Sequence, residues 1–166
     1  MKQIFLVRHG KSSWKDMKLD DFDRPLNGRG KKDVPFMAKL LAEDNILPDL
    51  IISSPAKRTL STAKIISAAV GYSADKIKQD ERIYEADVRD ILTVINEVPE
   101  DIKILMLIGH NPSLTSISNY ISDKRIDNIP TSGIVNIELN VKKWKDVDFD
   151  NGKVLSFDYP KKYIEV

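Results

Sequence analysis

The sequence predicts an α/β protein, a three-layer α/β/α sandwich around a mostly parallel central sheet. Three observations carry that expectation: short unbroken apolar runs, amphipathic helical segments between them, and a late pair of segments that alternate apolar with polar. A strand covered on both faces reads as a continuous apolar run, and strands that alternate with helices are joined by crossovers. With 166 residues, 42% hydrophobic and 31% charged, the chain suits one globular domain over residues 1–166.

"QIFLV", Gln3 to Val7, is the first buried strand. In "GRGKKDVPFMAKLLAED", Val34, Met37, Leu40 and Leu41 form an approximate helical stripe, and Pro35 predicts that the helix starts near it. "LIIS", Leu50 to Ser53, is a second strand. "PAKRTLSTAKIISAAV" places proline at a first helical turn and sets Leu60, Ala63, Ile66 and Ala69 along one face. "DVRDILTVINEV" gathers Val88, Ile91, Leu92 and Ile95 on a third helix, "IKILMLIG" is a third buried strand, and "NPSLTSISNYI" is a fourth helix. Alternation in "IVNIELN" and "KVLSFDY" predicts two strands paired antiparallel at one edge. No repeat, low-complexity tract or linker interrupts this order.

Composition narrows the partners. The 26 Lys and Arg against 25 Asp and Glu leave a formal charge of +1, so no nucleic-acid partner is expected and any anion specificity is local. The absence of cysteine excludes a disulfide framework and a thiolate nucleophile, and it fits a reducing compartment. No apolar run approaches the ~20 residues of a membrane span, and the N-terminal run is too short for a signal-peptide core. A cytoplasmic protein with no membrane partner is the expectation.

In an open α/β sheet, ligands bind at the carboxyl ends of the strands. Both histidines fall there: Arg8 and His9 follow the first strand, and His110 follows "IKILMLIG". "SSPAKR", with Arg58, follows the second strand. Arginine offers a permanent, forked cation matched to phosphate oxygens, and neutral imidazole is both a nucleophile and a proton carrier. Gly10 permits close backbone approach, and the start of the "PAKRTL" helix favours an anion. Together these residues suggest a phosphate pocket. A strand-end arginine can equally form a surface ion pair, and His110 can equally be a hydrogen-bonded core histidine. Two histidines without cysteine or H-x-x-x-H spacing fall short of a metal site, so neither metal nor cofactor is expected.

"LVRHGKSSW", "SSPAKRTLSTA" and "IGHNPSL" resemble, in order and spacing, motifs of the histidine phosphatase superfamily with its phosphoglycerate mutase-like fold. The chain is most similar to the small phosphohistidine phosphatases of the SixA type. "DFDRPLNGRGKKD" resembles the family's Asp-x-x-Leu-x-x-x-Gly segment, so the likeness runs from Met1 to about Tyr120. It implies that His9 is the nucleophile, that Arg8 and Arg58 bind the phosphoryl group, and that His110 completes the pocket. The family's acid lies in a segment that "ERIYEAD" matches, offering Glu85, which can equally be a solvated loop carboxylate. Lys11 and Lys15 depart from the mutase pattern, weakening a mutase reading. Lys11 and Ser12 are further candidates for phosphate binding; a solvated charge and a turn cap are their alternatives.

The connections leave little chain for a lid, which predicts a shallow, open cleft suited to a phosphorylated side chain on a protein. The expected activity is hydrolysis of protein phosphohistidine through a covalent intermediate on His9. The alternatives are a small-molecule phosphomonoesterase of the same mechanism and a non-catalytic phosphate-binding module. Oligomeric state is not readable from the sequence.

Overall fold

A computed structural model describes residues Met1–Tyr163. Six strands form one sheet: β1 (Lys2–Arg8), β2 (Leu50–Ser53), β3 (Lys78–Gln79), β4 (Ile104–Gly109), β5 (Ile134–Leu139) and β6 (Gly152–Asp158). Their spatial order is β3-β2-β4-β1-β5-β6; the first four run parallel, and β5 and β6 add an antiparallel edge. The helices are α1 (Gly28–Glu43), α2 (Lys57–Val70), α3 (Val88–Asn96), α4 (Ser113–Ile121) and the short α5 (Pro160–Tyr163).

The period-two geometry of the strands divides the core. Phe5 and Val7 of β1 join Ile51, Met106 and Ile108 under α1 and α2. Ile4 and Leu6 join Ile52, Leu105 and Leu107 under α3 and α4. Both faces of β1, β2 and β4 are therefore apolar, which is why these strands read as unbroken hydrophobic runs.

Two local expectations need correction. Pro35 does not start α1 but lies inside it, seven residues after Gly28. Its missing N–H falls on the exposed side, where water can serve the freed carbonyl, and the helix starts instead where the Asn27 side chain accepts from Gly30 N at 2.8 Å. On α2 only Ala63 and Ile66 of the expected Leu60–Ala69 stripe are buried: Ala69 is exposed, and Thr59, Thr62 and Ser67 complete the inner face. Those hydroxyls bond to backbone carbonyls of the helix and the loop before it, which makes their burial tolerable. The two-residue β3 carries no sequence pattern at all.

Candidate active site

Parallel register brings the two histidines together. Arg8 of β1 pairs with Gly109 of β4, so the next residue of each strand, His9 and His110, emerges side by side. Their ring centroids are 5.2 Å apart, and His9 N donates to Gly109 O at 3.2 Å. β2 lies on the other side of β4, and the loop after it supplies Ser54, whose Oγ is 2.8 Å from His110 Nε2. Arg58 follows in the first turn of α2.

The backbone around His9 is held tightly. Gly10 N donates to Thr62 Oγ1 at 3.0 Å, Ser132 N donates to His9 O at 3.0 Å, and Arg8 N donates to Gly133 O at 3.0 Å. A Cβ on Gly10 would come within 2.5 Å of Val34 Cγ2; the glycine is needed for close approach. His9 Nδ1 lies 2.6 Å from Gly10 O. A carbonyl only accepts, so Nδ1 carries the hydrogen and Nε2 keeps its lone pair.

Three guanidinium groups surround the imidazoles. Arg8 Nη1 donates to Ile129 O at 2.9 Å. Arg58 donates to Asp21 O at 2.7 Å and to Asp21 Oδ2 at 3.0 Å. Arg24 grips Asp21 Oδ1 through Nε and Nη2, donates to Ser12 Oγ at 2.6 Å, and stacks 3.6 Å over the Trp14 ring. Tyr84 donates to Asp21 Oδ2 at 2.7 Å and meets the His110 ring edge-on. Nε of Arg8, Nε of Arg58 and Nδ1 of His110 are buried without partners.

The electrostatics follow from that crowding. Burial, then Arg58, Arg8 and Arg24, push His9 down to about 4. Burial and the neighbouring positive groups push His110 down to about 3. Asp21 lies well below the ordinary carboxylate range because Tyr84, Arg24 and Arg58 bond to it, overriding desolvation. At neutral pH the site therefore holds two neutral imidazoles beside three guanidinium groups, two of them bonded to the Asp21 carboxylate.

The site lies in a cavity of about 690 Å³ that opens to solvent. Arg8, His9, Arg58, His110, Lys11 and Ser12 all line it, together with Arg24 and Trp14. Glu85 does not: it is exposed, sits in the left-handed region at φ 54°, and is absent from the cavity wall. Among the described residues no cluster of three His, Asp or Glu is spaced to hold a metal ion, and no helix is long and apolar enough to cross a membrane.

Sequence reasoning missed Asp21, Arg24, Tyr84, Thr62 and Ser54. The Asp-x-x-Arg spacing in "DFDR" was the available signal for the first two; Tyr84 and Thr62 gave none.

The sequence profile of the histidine phosphatase superfamily (branch 1) matches residues 4–104. The chain belongs to this superfamily. An uncharacterized chloroplastic protein of Arabidopsis thaliana is 32% identical over 133 residues, covering 75% of this chain, and the chain spans only 61% of that relative's length. An uncharacterized Mycobacterium tuberculosis protein is 28% identical over 165 residues, 93% of this chain and 100% of its own length. Among solved structures, an Agrobacterium tumefaciens protein provisionally assigned as phosphohistidine phosphatase SixA superposes with a TM-score of 0.79 at 28% identity, covering 96% of this chain and 98% of its own. This superfamily member thus shares the SixA fold, with its two histidines at the ends of adjacent parallel strands.

Proposed function

We propose that this chain is a phosphatase that hydrolyses phosphohistidine on a protein, with His9 as the nucleophile. The observation that carries the reading is His9 lining one cavity with Arg8, Arg24 and Arg58, its Nδ1 2.6 Å from Gly10 O, a contact that leaves the lone pair on Nε2. In the first step Nε2 attacks phosphorus and the P–N bond to the substrate imidazole breaks, the imidazole nitrogen taking a proton from water in the open cavity as it leaves. In the second step water attacks phospho-His9, releasing inorganic phosphate and restoring the histidine. The phosphoryl group carries about two negative charges. The guanidinium groups match its equatorial oxygens, and the unpartnered Nε atoms of Arg8 and Arg58 leave donors uncommitted. His110, neutral and held through Ser54, lines the same cavity, which supports a role for it beside the transferring group.

The nature of the leaving group supports phosphohistidine over an alkyl ester. Among the described residues no carboxylate lines the cavity, and Asp21, bonded to Arg24 and Arg58, is held too acidic to give up a proton near neutrality. An alkoxide needs a proton to leave, whereas imidazole needs less help. Glu85 therefore has no step in this scheme. The open cavity suits a phosphorylated side chain presented by a folded partner.

The test is phosphate release from a histidine-phosphorylated carrier protein, with aryl and alkyl phosphomonoesters run beside it. Wild type is expected to favour phosphohistidine, and His9→Ala to lose at least about 10³-fold in turnover. Turnover confined to alkyl esters would make the enzyme a metabolite phosphatase. Binding without turnover, indifferent to His9→Ala, would make it a phosphate-binding module.

A further inference from the structure

A second cavity of about 590 Å³ adjoins the first, and Lys11 and Thr131 face both. The partition between them is firmly built. Lys11 O accepts from Asn27 N at 2.9 Å, and the loop carrying Thr131 is closed by Gly133 N to Pro130 O at 2.9 Å and tied to His9 O through Ser132. A Cβ on Gly133 would lie 2.8 Å from Pro130 O, so the loop depends on glycine there. The two cavities are lobes of one trough.

The trough carries more positive charge than one phosphoryl group can use. Among the described residues, seven of the Lys and Arg side chains line its two lobes, against a single lining carboxylate, Asp33. Asp33 is buried and balanced by Arg29 at 2.9 Å, which leaves Lys11 and Lys161 as the cations of the second lobe. The whole chain has a formal charge of only +1, so the excess is local. The cations also differ in kind. Those of the catalytic lobe include buried, forked guanidinium groups suited to phosphate; Lys11 and Lys161 are exposed ammonium groups on flexible stems at a rim. Between them Phe157 and Tyr159, with ring centroids 5.1 Å apart, supply an apolar wall. Point charges around an apolar wall fit carboxylate side chains with their methylene stems better than a second phosphate.

We propose that the second lobe binds acidic side chains flanking the phosphorylated histidine of a protein substrate. This rests on the phosphohistidine reading above and deepens it: the enzyme selects among phosphoproteins by the acidity of the surface next to the phosphoryl group. Rim charges of this kind act mainly on encounter rate and on its salt dependence.

Two measurements test it. The first compares kcat/KM for a histidine-phosphorylated carrier protein with an acidic surface and for phosphoimidazole, which offers the same P–N bond without flanking groups. Lys161→Glu is expected to lower the protein-to-phosphoimidazole ratio about tenfold at low ionic strength, a difference that shrinks at ~0.5 M salt. An unchanged ratio overturns the proposal. The second titrates the wild-type protein with unphosphorylated hexaglutamate by amide NMR, with shifts expected at Arg29, Tyr159 and Lys161. Absence of shifts there overturns the lobe whatever the substrate; shifts there with no release from any phosphohistidine overturn only the reading beneath it.

Discussion

Asp21 illustrates how one carboxylate orders a site it does not line. It accepts from Arg24, Arg58 and Tyr84, and so fixes the planes of two guanidinium groups that would otherwise wander on flexible stems. Its partners lie 3, 37 and 63 residues away, which is why only Arg24 was within reach of a sequence motif. His9 and His110 were legible because the chain has only two histidines and both end buried strands. Their protonation was not, since it depends on burial and on arginines brought from three separate segments. Burial and those arginines hold His9 at about 4, and burial, His9, Arg58 and Arg8 hold His110 at about 3. In a ¹H–¹³C NMR titration both Cε1–H signals should keep neutral-imidazole shifts from pH 8 to about 5. A midpoint near 6.5 for either would show that the arginine cluster does not act as described.

At the level of elements, the strands were the most readable feature and the helix ends the least. β1, β2 and β4 announce themselves because both their faces are covered; α1 misleads because its proline faces water, and α2 because threonine and serine fill its inner face. The contact between α1 and the loop after β1 was also illegible, though it positions His9. Gly30 lies against that loop so closely that a Cβ would come within 2.3 Å of Lys11 O, a backbone atom that cannot swing aside. Gly30→Ala should therefore destabilise the fold by about 2 kcal/mol and lower the melting temperature by several degrees. Gly28→Ala, on the same helix with nothing within 4 Å of the added carbon, should leave the melting temperature unchanged or raise it slightly. Calorimetry on the two variants separates close packing from helix propensity.

For the molecule as a whole, the two neutral histidines set its response to acid. Unfolded, each takes a proton near pH 6.5; folded, they resist until about 4 and about 3. Below pH 6.5 the unfolded chain thus binds more protons than the native one, and stability falls as pH falls through that window. With two groups involved, the slope approaches about 2.7 kcal/mol per pH unit between pH 5.5 and 4.5. Urea unfolding at pH 7 and pH 5 should show the loss, and the double variant His9→Asn, His110→Gln should flatten it. An equal pH dependence in both proteins would place the acid sensitivity elsewhere. The sheet order could not be read from any single element, yet it is what makes the site: β1 and β4 pair directly although β2 and β3 lie between them in the chain.

The two tryptophans occupy opposite extremes of this architecture. Trp144 is fully buried and donates its indole N–H to Ile102 O, whereas Trp14 is 73% exposed at the rim of the catalytic cavity beneath Arg24. Their fluorescence separates accordingly, a blue component from the interior and a red one from the rim. An anion that draws the Arg24 guanidinium off the Trp14 ring alters only the red component, so the chain carries an optical gauge of cavity occupancy with its own internal standard.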